Sequence, residues 1–174
     1  MLKWSSDMSE LEIMFSSRVS IEAMVKVLNL SSENFREAIQ LAGTNKEPQS
    51  WRAAWVLGHC TIKNDERISD YLDTLIAAVD KKKDGHQREL IKLITKNKLN
   101  EDQEGLLFDA CMNIWETPSK SPSVRYFAFQ FIVSIVKKHP ALKQEIDFLT
   151  QPEYLESLSP GIRKGLEKRI KEML

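Results

Sequence analysis

Four arginines recur at near-constant spacing along the 174-residue chain: Arg52, Arg88, Arg125 and Arg163, separated by 36, 37 and 38 residues. Each lies just inside a segment whose apolar residues fall at helical spacing: "PQSWRAAWVLG", "DGHQRELIKLI", "SPSVRYFAFQFI" and "SPGIRKGLEKRI". Two helices of about 12 to 16 residues and two short turns fill such an interval. The spacing therefore predicts a helical hairpin repeated along the chain, each unit burying its apolar faces against its neighbours. Period-two alternation is absent, so no sheet is expected.

The same periodicity predicts helices over residues 6–16, 19–29, 32–43, 49–62, 66–80, 85–96, 101–116, 122–138, 141–150 and 160–173. Their starts have physical causes. Ser31 or Ser32 can accept the free amide hydrogens of "ENFREAI", and Asn100 those of "EDQEGLLFDACMNIW". In "SPSVRYFAFQ" and "SPGIRKGLEK" a serine cap precedes proline at the first helical position, where a missing N–H does no harm. Lys137 and Lys138 ahead of Pro140 suit a helix that ends in cations before a new one begins.

This pattern resembles the HEAT and HEAT-like repeat family, whose second helices often begin with proline or a turn residue and carry an arginine near the start. The resemblance covers residues 31–174 as about four hairpins, with residues 1–30 as additional N-terminal helices of the same single domain, 1–174. It implies an all-α fold, an α-α superhelix wound as a right-handed solenoid. The family often places an aspartate shortly before the arginine. Here only Asp84 fits; Ser121 and Ser159 hold the same offset and Pro48 replaces it in the first unit. The arginines are accordingly expected to hydrogen-bond carbonyls rather than to form an Asp–Arg ladder. The chain is also similar to short bacterial HEAT-like proteins that sometimes carry an adenylosuccinate lyase label. The "SS.MP.K.NP" type of loop that holds a catalytic serine in those lyases has no counterpart here.

Within "SWRAAWVLGHC", Ala53, Val56, Leu57 and Cys60 form one apolar face, and Trp51, Trp55, Gly58 and Ile62 mark a second. A helix covered on two sides is expected, with the tryptophans as core between hairpins and only the stripe through Arg52 and His59 reaching water. His59 and Cys60 are adjacent and point about 100 degrees apart, which argues against a nucleophile and its base. The histidines, His59, His86 and His139, make no HxxxH arrangement, and Cys60 and Cys111 make no ligand spacing. No metal and no cofactor are expected. Asp65, Asp70 and Asp73 read as a solvated face; Glu101, Asp102 and Glu104 read as a first turn that favours negative charge.

Lys plus Arg and Asp plus Glu both number 25, so no global positive field is expected to hold nucleic acid or an anionic membrane. Arg88, Lys92 and Lys96 would share one helix stripe, and the last helix adds Arg163, Lys164, Lys168, Arg169 and Lys171. That supports an alternative reading, nucleic-acid binding related to HEAT-like DNA-alkylation-repair glycosylases. "RYFAFQFIVSIV" reads as an interior helix, and the last helix, apolar only at Ile162, Leu166, Ile170, Met173 and Leu174, as a terminal cap. With no apolar leader and no run approaching 18 apolar residues, a cytoplasmic location is expected. The leading expectation is a non-enzymatic interaction or scaffold module that binds a protein or peptide in a groove lined by second helices. Arg52, His59, Arg88, Lys92, Arg125 and Arg163 are the positions expected to line or support it. Self-assembly is a further reading, through an apolar patch at Trp4, Met8, Leu11 and Phe15.

Overall fold

Residues 8–171 are described by a computed structural model, and those residues form helices and turns with no strand. In chain order the helices are α1 Glu10–Ser16, α2 Ile21–Leu30, α3 Ser32–Gly43, α4 Gln49–Cys60, α5 Glu66–Ser69 and α6 Leu72–Ala78. They continue as α7 Asp84–Ile94, α8 Glu101–Trp115, α9 Pro122–Lys138, α10 Lys143–Leu149, α11 Pro152–Leu155 and α12 Pro160–Lys171. Short 3-10 turns, Val79–Lys81 and Pro140–Leu142, follow α6 and precede α10.

The helices form two layers. Second helices touch in series, α2 against α4, α4 against α7, α7 against α9 and α9 against α12. First helices do the same, α3 against α6 and α6 against α8, while α3 with α4, α6 with α7 and α8 with α9 close the hairpins. The core runs between the layers. On α4 the face of Ala53, Val56, Leu57 and Cys60 is buried as the periodicity requires, and α7 meets it with Leu90, Ile91 and Ile94. Each fully buried leucine or isoleucine is worth roughly 1.5–3 kcal/mol. α9 is interior, with Val124, Ala128, Phe129 and Ile132 fully buried, whereas α12 buries only Leu166 completely. That one wet helix closes the row, although Met173 and Leu174 lie outside the described residues.

Local chemistry accounts for most helix starts. Ser31 accepts from the Asn34 N–H at 3.2 Å, and Asn100 and Gln103 form a reciprocal capping box on α8. The expected Ser121 cap is different: its hydroxyl makes no capping bond, and its backbone N–H instead donates to Asp84 Oδ2 at 2.6 Å, from one hairpin to the next. The helix expected over 66–80 is broken at Asp70 and Tyr71. Asp65 is a second correction. It is 4% exposed, not solvated, because it caps α5 by accepting from Arg67 N–H and holds the Arg67 guanidinium at 2.7 Å. The self-assembly patch also fails at two positions, since Leu11 and Phe15 are buried within the core; Trp4 lies outside the described residues.

Between hairpins, cations of one unit satisfy carbonyls of another. The end of α3 shows the pattern: His86 Nε2 lies 2.9 Å from the Ala42 carbonyl, and Lys82 Nζ donates to the Gly43 carbonyl at 2.9 Å and to Thr44 and Asn45. The last carbonyls of a helix have no partner of their own, so such donors supply what the helix lacks. Lys96 does this for Gly58 and Thr61 at the end of α4. Lys46 reaches Glu12, and Lys120 reaches Gln87 and Asp84, each in the hairpin before. Arg52 donates to the Ser17 carbonyl and Arg163 to Leu155, as expected of arginines without aspartate partners.

Arg125 is the extreme case. It has no exposed surface, its guanidinium lies 4.6 Å from the Trp115 ring, and it donates to the carbonyls of Trp115 at 3.1 Å and Tyr154 at 2.7 Å and to the Ser157 hydroxyl. It thereby ties α9 to the turn before it and to the segment leading into α12. Replacing Arg125 with Met strands those carbonyls and should cost about 3 kcal/mol; Lys, one compact donor in place of a planar fork, should recover only part. Urea unfolding of both variants checks this, and an unchanged midpoint in Arg125→Met would contradict it.

Candidate functional site

Positions on the second helices that do not serve the core form one face. On α4, Trp51, Trp55 and His59 follow one another at i, i+4 and i+8. The two indoles are parallel within 6° at 6.3 Å between centroids, and His59 meets Trp55 edge-on at 5.2 Å. Trp51 and Trp55 are half-buried, and His59 is exposed. The second apolar face expected on this helix is therefore only partly covered: Trp55 packs against the core and both indoles are half-buried, while Ile62, 71% exposed, is not core. The reason is the neighbour: α7 offers Gly85 beside the Trp51 ring and then charged residues, so it covers one edge of the ladder only.

On α7 the two cations expected in the groove share a carboxylate that the sequence reading passed over. Glu89 is 2% exposed and accepts Arg88 Nε on one oxygen and Lys92 Nζ on the other, both at 2.8 Å. Arg88 also reaches the Ser123 hydroxyl of α9 at 3.3 Å, and Lys92 lies over the Phe127 ring at 5.7 Å. The stripe expected through Arg88, Lys92 and Lys96 is broken: α7 ends at Ile94, and Lys96 turns back to the carbonyls of α4. The signal for Glu89 was present only in part: Lys92 lies three residues on, an offset that a helix brings together, whereas adjacent Arg88 reaches it through its long side chain. Of the six expected positions, His59, Arg88 and Lys92 lie on this open face. Arg52 and Arg163 are half-buried on backbone carbonyls, and Arg125 supports the stack from inside.

His59 and Cys60 do not meet as a reactive pair. Cys60 faces the core and is pushed up to about 11 by burial, with its thiol on the Leu57 carbonyl at 3.6 Å. Cys111 is fully buried and raised by burial too. Neither thiol has the thiolate character that nucleophilic chemistry needs. Among the described residues, no three of His, Cys, Asp and Glu converge as metal ligands would, and no helix is long and apolar enough to cross a membrane.

Charge is sorted by layer toward the C-terminal end. First helix α8 carries Glu101, Asp102, Glu104 and Asp109 and no cation; its partner α9 carries Arg125, Lys137 and Lys138 and no acid. α12 sets Arg163, Lys164, Lys168, Arg169 and Lys171 against Glu167 alone. The net charge remains zero, and the uneven distribution is local to these three helices.

A family model for the HEAT repeat domain matches residues 9–173, and the chain belongs to that family. HEAT repeats commonly mediate protein–protein interaction. No curated protein and no solved structure matches the chain.

The most perturbed histidine lies under this scaffold rather than on its face. Burial holds His86 below its ordinary 6.5, against the opposing pull of the bond to Ala42; Lys82 lowers it further and Glu47, 3.9 Å from Nδ1, raises it. The folded chain therefore takes up this proton less readily than the unfolded chain. Stability from this site is complete above about pH 7 and falls as pH drops below the unfolded value. The thermal midpoint should decline between about pH 7.5 and 5.5 and do so less in His86→Gln; equal slopes would clear His86 of the effect. Carboxylates add a separate loss below about pH 4.5. Lys46 holds Glu12 low and Arg67 holds Asp65 low; for Asp84, burial raises the value but the bonds from Ser121 and Lys120 outweigh it.

Proposed function

We propose that the protein is a non-catalytic docking module that binds another protein through the open face of its second helices. The observation that carries this reading is the Trp51–Trp55–His59 ladder. α4 already buries a complete apolar face, and beyond it both indoles keep exposed surface, although Trp55 also packs against the core. Tryptophan offers a large apolar area with one polar handle, which is why it anchors interfaces. On the neighbouring second helix α7, Arg88 and Lys92 are oriented by Glu89 with their side chains already ordered, which lowers the entropy cost of a contact.

The alternative, a grip on nucleic-acid phosphate along α7, loses its main support because Lys96 serves the fold and Glu89 offsets one of the two remaining charges. Affinity capture with the tagged full chain tests the proposal. Trp51→Ala, which removes no buried core residue, should lose the captured proteins while keeping its thermal midpoint. An anchoring tryptophan is worth about 2 kcal/mol or more, roughly 30-fold in Kd. An unchanged set of captured proteins would overturn the reading.

A further inference from the structure

A cleft lies where the turn after α7 meets α8, α9 and α12. It encloses about 330 Å³ and is lined by Lys98, Lys138, Arg169 and Glu104 above an apolar floor that includes Phe127 and Phe131. Glu104 is already taken by Lys138. Arg169 is oriented from below: with its amide oxygen turned toward them, Gln130 accepts the guanidinium at 3.0 and 3.2 Å and the Tyr126 hydroxyl at 2.7 Å. Lys98 is exposed and makes no ion pair among the described residues. The rim therefore keeps two positive charges in excess over a floor that water solvates poorly.

We propose that this cleft docks an acidic protein segment, one apolar side chain resting on Phe127 and Phe131 and flanking carboxylates on Lys98 and Arg169. The inference rests on the docking reading above and names the chemistry of the partner. Charge complementarity commits it. The cleft is lined by Lys98, Lys138 and Arg169 against Glu104 alone, and Lys138 already holds Glu104, so an acidic segment is favoured there. The apolar floor favours a peptide over a polyphosphate backbone, which has no apolar group to place there. The cavity volume accommodates one or two side chains.

The probe is a short fluorescent peptide with Asp and Glu on both sides of a single Phe, titrated with the full chain by polarisation. Its Asn/Gln counterpart and a mixed-sequence single-stranded DNA oligonucleotide serve as comparisons. The acidic peptide should bind at least about tenfold more tightly than the Asn/Gln peptide and weaken with salt. Lys98→Glu with Arg169→Glu, both exposed positions, should abolish that preference at an unchanged thermal midpoint. Equal binding of the acidic and neutral peptides, or tighter binding of the oligonucleotide with displacement of the peptide, would overturn the proposal. In affinity capture, a double variant that retains all the proteins lost by Trp51→Ala would overturn the acidic cleft and leave the docking face standing. Retention by both variants would overturn the docking reading as well.

Discussion

Helix ends are the weak points of a stack of short hairpins, because every helix leaves carbonyls that its own backbone does not satisfy. In this chain those carbonyls are answered by side-chain donors from other segments, mostly from other hairpins. Lys82 and His86 close the end of α3, Lys96 closes the end of α4, and Arg125 closes the segments on both sides of α9. A donor borrowed from the next unit does two things at once. It removes the cost of a desolvated carbonyl, and it sets the distance between successive hairpins, which apolar packing alone would leave free to slide. The apolar core then forms between layers whose register is already determined.

That arrangement governs what is left for function. Basic residues near the start of each second helix, together with the lysines of the preceding turns, are largely consumed by the stack. The charges that remain available are those on exposed turns and on the outer side of the last two hairpins, Lys98, Lys164 and Arg169 among them. The indoles of α4 remain half-buried, with only the side-chain-free Gly85 of α7 recorded beside the Trp51 ring. A half-buried aromatic ladder on α4 and a cleft with excess positive charge between α8, α9 and α12 are what remains.

Legibility from sequence was uneven in a way that follows from range. The hairpin repeat, the buried face of α4, the interior character of α9 and the caps at Ser31 and Asn100 depend on residues within a few turns of one another, and they are present in the structure as read. The family itself was legible for the same reason, since four arginines at regular intervals mark a repeated unit. The carbonyl role of Arg52, Arg125 and Arg163 was legible from the missing aspartates. The lysines at 46, 82 and 120, which recur at nearly the same interval as the arginines, were not read as a series because lysine runs so often end helices in water.

What the sequence by itself determined was the helical period, the length of the repeat and which face of each helix is apolar, because these are properties of one chain segment and its own periodicity. Only the tertiary structure decided which of the remaining residues are open. Whether Trp51 and Trp55 are core or surface depends on the size of the residues that α7 places opposite them. Whether Lys96 is a groove cation or a helix cap depends on where α4 ends in space. Whether a balanced charge is even or sorted depends on which helices share a layer. Each of these is a relation between segments about 35 residues apart, and no local pattern encodes it.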